Sequence, residues 1–157
     1  MAAIILSVGI PSFRSVIQNN QAATQTNQLV TALNLARSES VKRGSNVSVC
    51  ASTDSSSCSG SSNWATGWIL FSDAGTAGAV DVGTDTIIRV WPSLSTSTVL
   101  TSGSADSFVQ YRNNGQISDA SNVSFTLTVT DCKGDNVRNI NISQQGRIRR
   151  APHTACP

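Results

Sequence analysis

A short run of arginines near the end of the chain, Gly146-Arg147-Ile148-Arg149-Arg150, is the feature best suited to chemistry. On a β-strand, Arg147 and Arg149 would point to one face and Ile148 to the other. Their guanidinium groups would stand about 6.5–7 Å apart, close to the phosphate spacing along one strand of nucleic acid. Guanidinium binds phosphate bidentately and keeps its charge. The run therefore predicts a phosphate-binding surface, with Gly146 either in a turn that requires positive φ or leaving room for a ligand.

The charges of the chain are distributed unevenly, although its net charge is only +2. Residues 54–106 carry five acids and one base, a net of −4, whereas residues 131–157 carry five bases and two acids, a net of +3. This asymmetry predicts a contact with a polyanion at the basic end, to which Lys133, Arg138, Arg150 and His153 would add. The alternative is that the clustered arginines form a solvated strand edge that keeps sheets from pairing.

The four cysteines, Cys50, Cys58, Cys132 and Cys156, form no C-x-x-C pair, which argues against zinc-ribbon and thioredoxin-like sites. An even number in a polar chain favours two disulfides and an oxidising compartment over four reduced thiols. Three pairings are possible. We favour Cys50–Cys58 and Cys132–Cys156, because each pair flanks a hydrophilic, turn-rich stretch. The second disulfide would hold the arginine run on a fixed backbone.

Enzymatic and metal-dependent functions are poorly supported by the residues present. His153 is the only histidine, so a site with several histidine ligands is excluded. No calcium-binding loop motif is present, and no set of side chains meets the requirements for nucleophilic catalysis. We therefore predict no catalytic residues, no metal and no cofactor.

The elements that must position these residues begin with a long helix. With 157 residues, 39% of them hydrophobic and 13% charged, the chain fits one folded domain. Leu29, Leu33 and Ala36 form an apolar stripe at helical spacing, and Gly44 follows Lys42 and Arg43 as a helix end signal. We predict a helix from near residue 3 to Arg43. Because its first part is apolar on every face, residues 1–20 should project towards lipid or partner helices, while residues 21–157 form the globular domain.

After Gly44 the hydrophobic pattern changes to the two-residue period of strands. The predicted strands are Asn46–Ala51, Gly67–Ser72, Thr86–Trp91, Ser97–Thr101, Ser107–Arg112, Val123–Thr130, Val137–Ser143 and Gly146–Arg150. One long helix followed only by strands predicts an α+β fold, with antiparallel sheet packed on the helix. Trp68 and Trp91 lie in apolar runs and should be buried, whereas Trp64, beside a serine-rich loop, should be exposed.

Several of these segments carry a family resemblance. They are the apolar start ending in Ile10-Pro11-Ser12-Phe13, the block from Leu29 to Gly44, the run Trp64–Phe71, the turn Tyr111–Gly115, and the closing Gly146-Arg147-Ile148-Arg149. Together they resemble a type IV pilin-like protein, more narrowly the GspH/FimT branch of minor pilins and pseudopilins, and most of all FimT. The resemblance covers nearly the whole chain, and the Leu29–Gly44 block and the Gly-Arg-x-Arg motif are its most specific parts.

The resemblance implies two kinds of function. FimT-like members are linked to DNA uptake during natural transformation, which implies non-specific binding of double-stranded DNA phosphates by Arg147, Arg149 and Arg150, with Lys133 and Arg138. Other members are structural, and prime or cap a pilus or type II secretion pseudopilus without binding DNA. Both imply major and minor pilins as partners through the N-terminal helix.

The resemblance also implies a bacterial, extracytoplasmic location: the inner membrane before assembly, then the periplasm or the cell-surface pilus. Family members begin with a basic leader cut before a Phe-Thr-Leu-Ile-Glu-like segment, whose Glu helps subunits to assemble. Upstream residues of this kind would extend the apolar run of Met1–Ile10 towards the length of a transmembrane helix.

Overall fold

The computed structural model describes residues 3–103, 106–132 and 134–156, with the side chains of the helix described from residue 14 onward. In this part of the chain, a single α-helix precedes eight strands and one short 3-10 helix. The helix α1 is Ala3–Arg43, and the 3-10 helix is Trp64–Thr66. The strands are β1 Val47–Ala51, β2 Trp68–Ser72, β3 Ile87–Trp91, β4 Thr98–Ser102, β5 Phe108–Tyr111, β6 Val123–Val129, β7 Arg138–Ile142 and β8 Ile148–Arg150.

Helix α1 has the predicted bounds, and its apolar stripe faces the sheets. Leu29, Leu33 and Ala36 are fully buried, as their spacing predicts. The helix ends at Arg43, and the φ of 64° at the following Gly44 lets the amides of Gly44 and Ser45 bond back to the last turn at 3.3 Å each. Among the described residues, no helix is both long enough and apolar enough to cross a membrane.

Two four-stranded antiparallel sheets pack on this helix. Their strand orders are β3-β2-β1-β5 and β4-β6-β7-β8. The helix contacts β1, β2 and β5 of the first sheet and β6, β7 and β8 of the second. The predicted α+β fold, a long N-terminal helix packed on antiparallel sheet, is therefore confirmed, and all eight predicted strands are present with ends that differ by at most two residues.

The burial of the three tryptophans agrees with the prediction at two positions and differs from it at the third. Trp68 and Trp91 are buried as predicted and stack with ring centroids 6.3 Å apart. Trp64, predicted to be exposed, is fully buried. The side chain of Asn63 accepts a hydrogen bond from the amide of Ala65 at 3.1 Å, so the polar loop ends at this cap and the next residue turns inward.

Both favoured disulfides are present. Cys50–Cys58 joins the end of β1 to the serine-rich loop after it. Cys132–Cys156 joins the segment after β6 to the C-terminal tail, and therefore encloses β7 and β8.

Candidate nucleic-acid interface

The arginine run lies on a hairpin formed by β7 and β8. The amide of Gly146 donates to the carbonyl oxygen of Ser143 at 2.7 Å, and the amide of Ser143 donates to the carbonyl oxygen of Arg147 at 3.0 Å. Gly146 has φ of 74°, so this is a tight turn followed by a left-handed residue, as in a G1 bulge. Strand β8 consequently begins at Ile148 rather than at the predicted Gly146, and Arg147 lies in the connection before it.

Gly146 is also required by close packing against a second turn. A Cβ atom at this position would overlap the carbonyl oxygen of Gly115. The guanidinium of Arg37, on helix α1, bridges both turns: Nε donates to the carbonyl oxygen of Gly115 at 3.0 Å and Nη2 to that of Gln145 at 3.1 Å. The space left by Gly146 is therefore filled by the neighbouring turn, and the hairpin is attached to the end of the helix.

Arg37 was not among the residues singled out from the sequence, although a signal was present. It lies four residues after Leu33, so it extends the buried stripe of the helix with a charged side chain. A charged residue at the margin of a buried stripe requires hydrogen-bond acceptors, and here two turn carbonyls provide them.

The register of β8 separates the predicted arginines onto two faces of the sheet. Arg149 pairs with Asn141, which is exposed, while Arg150 pairs with Ile140, which is fully buried. Because paired residues share a face, Arg149 points away from the helix and Arg150 lies on the helix side. Arg147 and Arg149 are both exposed. The structure thus leaves Arg147 and Arg149 available on the outer surface but does not bring Arg150 to the same face.

Arg138 does not lie on the exposed surface where we predicted it. It is only 6% exposed, and its Nη2 atom donates to the side-chain oxygen of Asn19 on the helix. Arg138 occupies the same face of β7 as Ile140 and Ile142, which turns it towards α1. Lys133 lies outside the described residues.

Hydrogen bonds hold the tail beyond β8 along the edge of β7. The amide of Ala151 donates to Asn139 at 2.9 Å, and Val137 and Thr154 exchange two backbone bonds at 3.3 Å. The amide of Cys156 donates to the carbonyl oxygen of Gly134 at 2.9 Å, next to its disulfide with Cys132. Strand β8 is therefore fixed at both ends, by the Gly146 turn and by the tethered tail.

Among the described residues, no carboxylate neutralises the exposed arginines of this hairpin. Within the part of the chain that the structure describes, the ion pairs join Glu39 to Lys42 at 3.6 Å and to Arg43 at 2.7 Å. The hydrogen bond from Arg43 lowers the pKa of Glu39, with smaller contributions from Lys42. Lys42 and Arg43 thus have a local partner at the helix end, whereas Arg147 and Arg149 keep their charge free for an external anion.

Comparison with known proteins identifies the family and the fold. The sequence matches the family model described as type II transport protein GspH over residues 25–146, which is most of the chain. None of the curated protein sequences is significantly similar to this chain. The matched region ends at Gly146, so Arg147, Arg149 and Arg150 lie directly after it.

The structure is similar to solved structures of two minor subunits. The type IV minor pilin FimU of Pseudomonas aeruginosa (strain PAO1) is similar in two crystal forms, with TM-scores of 0.62 and 0.61. The alignments have 22% and 23% identity and cover 85% and 82% of this chain, and 92% of FimU in each form. The minor pseudopilin EpsH of the Vibrio cholerae type 2 secretion system gives a TM-score of 0.57 at 12% identity, over 84% of this chain and 97% of EpsH. The family match shows that the chain belongs to the GspH family of type II transport proteins, and the structural similarity shows that it shares the fold of FimU and EpsH.

Proposed function

We propose that this minor pilin or pseudopilin binds the phosphates of double-stranded DNA, without sequence preference, during DNA uptake in natural transformation. The observation that carries the proposal is that Arg147 and Arg149 are exposed on a hairpin fixed at both ends, with no carboxylate partner in the described part of the chain. The resemblance of the closing Gly-Arg-x-Arg motif to FimT-like proteins supports it. The two disulfides fit an oxidising, extracytoplasmic compartment, where such an encounter would take place.

The proposed contact is electrostatic and needs few residues. Each guanidinium presents a planar pair of donors that matches two phosphate oxygens, and the contact carries no base information. Arg147 and Arg149 form the proposed core of this surface, and Lys133 is a further candidate by its position in the sequence. Arg150 and Arg138 face the helix side, so we assign them no direct contact with DNA.

A purely structural function is the second candidate, and the place of β8 in the sheet favours it. Strand β8 is an edge strand of the second sheet, and exposed arginines on an edge strand prevent unwanted pairing with other sheets. In that case the protein would prime or cap the fibre of a pilus or a type II secretion pseudopilus through its neighbours, without binding DNA.

A titration of random duplex DNA separates the two candidates. Neutralising about two phosphates gives a slope of about −1.8 for log affinity against log salt, so affinity should fall about 12-fold between 50 and 200 mM salt. Arg147→Gln combined with Arg149→Gln should abolish most binding at low salt, because both contacts are lost. Gel shift gives the affinity, and circular dichroism checks the fold.

The matched control for this titration is Arg14→Gln combined with Arg89→Gln. Both residues are exposed, one on the helix and one on β3 of the other sheet, and the double change removes the same charge. It should reduce affinity far less than the tail variant. Equal DNA affinity in wild type and the folded tail variant would reject the DNA proposal and leave the structural function.

We also propose that the first part of helix α1 projects from the globular domain and contacts other pilin helices, and the inner membrane before assembly. Val16 and Ile17 are each 54% exposed, which is unusual for large apolar side chains. Directly after them, Gln18 donates to the carbonyl oxygens of Thr130 and Asp131 at 3.4 Å. The proposed boundary therefore lies near Gln18, slightly before the predicted boundary at residue 20.

Deleting residues 1–17 should leave a folded and more soluble domain, because the buried stripe begins later, at Ala22. Deleting residues 1–28 should destabilise the domain strongly, since it also removes Ala22 and the buried hydrogen bond from Thr98 to Gln25 at 2.7 Å. Thermal unfolding followed by circular dichroism compares the two. Loss of the sheet signal in the shorter deletion would contradict the projecting-arm proposal.

A further inference from the structure

A cavity of about 220 Å³ lies between helix α1 and the β7–β8 hairpin, on the opposite face of the sheet from Arg149. One wall is formed by helix residues between Asn19 and Asn27, and the other contains Arg138, Arg150 and His153. No carboxylate lines this cavity among the described residues. Three cationic or proton-donating side chains from three segments therefore converge on one space.

Two buried polar atoms of the cavity residues have no hydrogen-bond partner. They are Nη1 of Arg138 and Oγ1 of Thr26, and their residues are only 6% and 3% exposed. Buried polar groups in folded proteins are nearly always paired, and a buried charge without a partner is costly. Two such atoms, one of them on a buried guanidinium, make this cavity a candidate ligand site.

A ligand at this cavity should be an anion. The Nη2 atom of Arg138 donates to the amide oxygen of Asn19, a neutral acceptor that does not compensate the charge. In the described part of the chain, no carboxylate lies within ion-pair distance of Arg138. Burial lowers the pKa of Arg138, yet a guanidinium remains charged at neutral pH, so the cavity keeps a positive charge without a counterion.

The shape of the donor set favours a tetrahedral oxyanion. Arg138 approaches from β7, Arg150 from β8, His153 from the tail, and the hydroxyl of Thr26 from the helix. A phosphate group offers three or more strong acceptor oxygens that point in different directions, as these donors require.

We propose that this cavity binds a phosphate group, either free phosphate or the terminal monophosphate of a larger molecule, through Arg138, Arg150, His153 and Thr26. The site does not depend on DNA binding by Arg147 and Arg149, because Arg149 lies on the other face of the sheet.

Titration of inorganic phosphate into the full chain tests the proposal, with sodium chloride at matched ionic strength as reference. We expect the Nε–H nuclear magnetic resonance signals of Arg138 and Arg150 to shift and saturate, and that of the exposed Arg149 to shift only weakly and without saturation. Arg150→Gln should weaken phosphate binding about tenfold, because one charge-assisted contact is lost. Arg149→Gln, which removes the same charge from the opposite face, should bind phosphate like wild type.

The same variants distinguish this proposal from DNA binding. Arg150→Gln should lose phosphate affinity and keep its affinity for a duplex without 5′-phosphate, whereas Arg149→Gln should do the reverse. Arg150 is exposed, so its replacement is tolerated even if a variant at the buried Arg138 does not fold.

A duplex with and without 5′-phosphate identifies the source of the phosphate group. Tighter binding of the phosphorylated duplex indicates a terminal phosphate, and equal binding indicates free phosphate. No phosphate-specific shift in the wild-type protein, or equal phosphate affinity in Arg150→Gln and wild type, would overturn the proposal.

Discussion

Replacing Trp64 with alanine is expected to lower the free energy of unfolding by about 4 kcal/mol, because it empties a buried site between the two sheets. The indole packs edge-to-face on Phe125 of β6, with ring centroids 4.9 Å apart, while the 3-10 helix that carries it contacts β1 and β4. Its Nε1 atom donates to the carbonyl oxygen of Asp106 at 3.1 Å. The change therefore removes apolar packing and one of two hydrogen bonds to the carbonyl oxygen of Asp106, which still accepts from Oγ of Ser102 at 2.7 Å.

The matched variant is Trp64→Phe, which keeps an aromatic ring against Phe125 but loses the Nε1 donor. It should cost about 2 kcal/mol, half as much as alanine, from the lost volume and hydrogen bond. Chemical denaturation of both variants measures the difference. A cost below 1 kcal/mol for Trp64→Ala would show that this indole does not join the sheets.

The second large effect is expected from the Cys132–Cys156 disulfide. Changing both cysteines to serine should lower the free energy of unfolding by about 3 kcal/mol, since the bond closes a loop across a sequence separation of 24 residues. Because that loop contains β7 and β8, the tail beyond Arg150 should also loosen. We expect the DNA affinity proposed for Arg147 and Arg149 to fall with it, as the arginines lose their fixed geometry.

The other disulfide provides the control. Changing Cys50 and Cys58 to serine opens a loop with a sequence separation of 8 residues and should cost about 2.5 kcal/mol. This loop follows β1 in the other sheet, so DNA affinity should not change. Denaturation and DNA titration of both pairs test the link. If the Cys132/Cys156 variant keeps full stability and full DNA affinity, the tethered tail has no role in presenting the arginines.

Local patterns in the sequence were sufficient to predict the helix and the strands of this fold. The alternation of Val123, Phe125, Leu127 and Val129 with Ser and Thr predicted β6, and these four residues are buried. The stripe beginning at Leu29 and the glycine at residue 44 predicted the buried face and the end of the helix. Such features depend on side-chain periodicity and on backbone freedom within a few residues, which a single chain shows directly.

The composition of the candidate site depended instead on contacts between distant residues. The alternation of β8 shows that Arg149 and Arg150 face opposite ways, but pairing with Ile140 is what turns Arg150 towards the helix. Arg138 is buried because it meets Asn19, 119 residues earlier, and the Gly146 turn is held by Arg37, which reaches Gly115 across 78 residues. Trp64 follows a polar loop yet packs against a strand of the second sheet.

Periodicity indicates which residues share a face of a strand, whereas the packing of helix on sheet determines which face is covered. That packing separated the outward Arg149 from Arg138 and Arg150, which line the cavity.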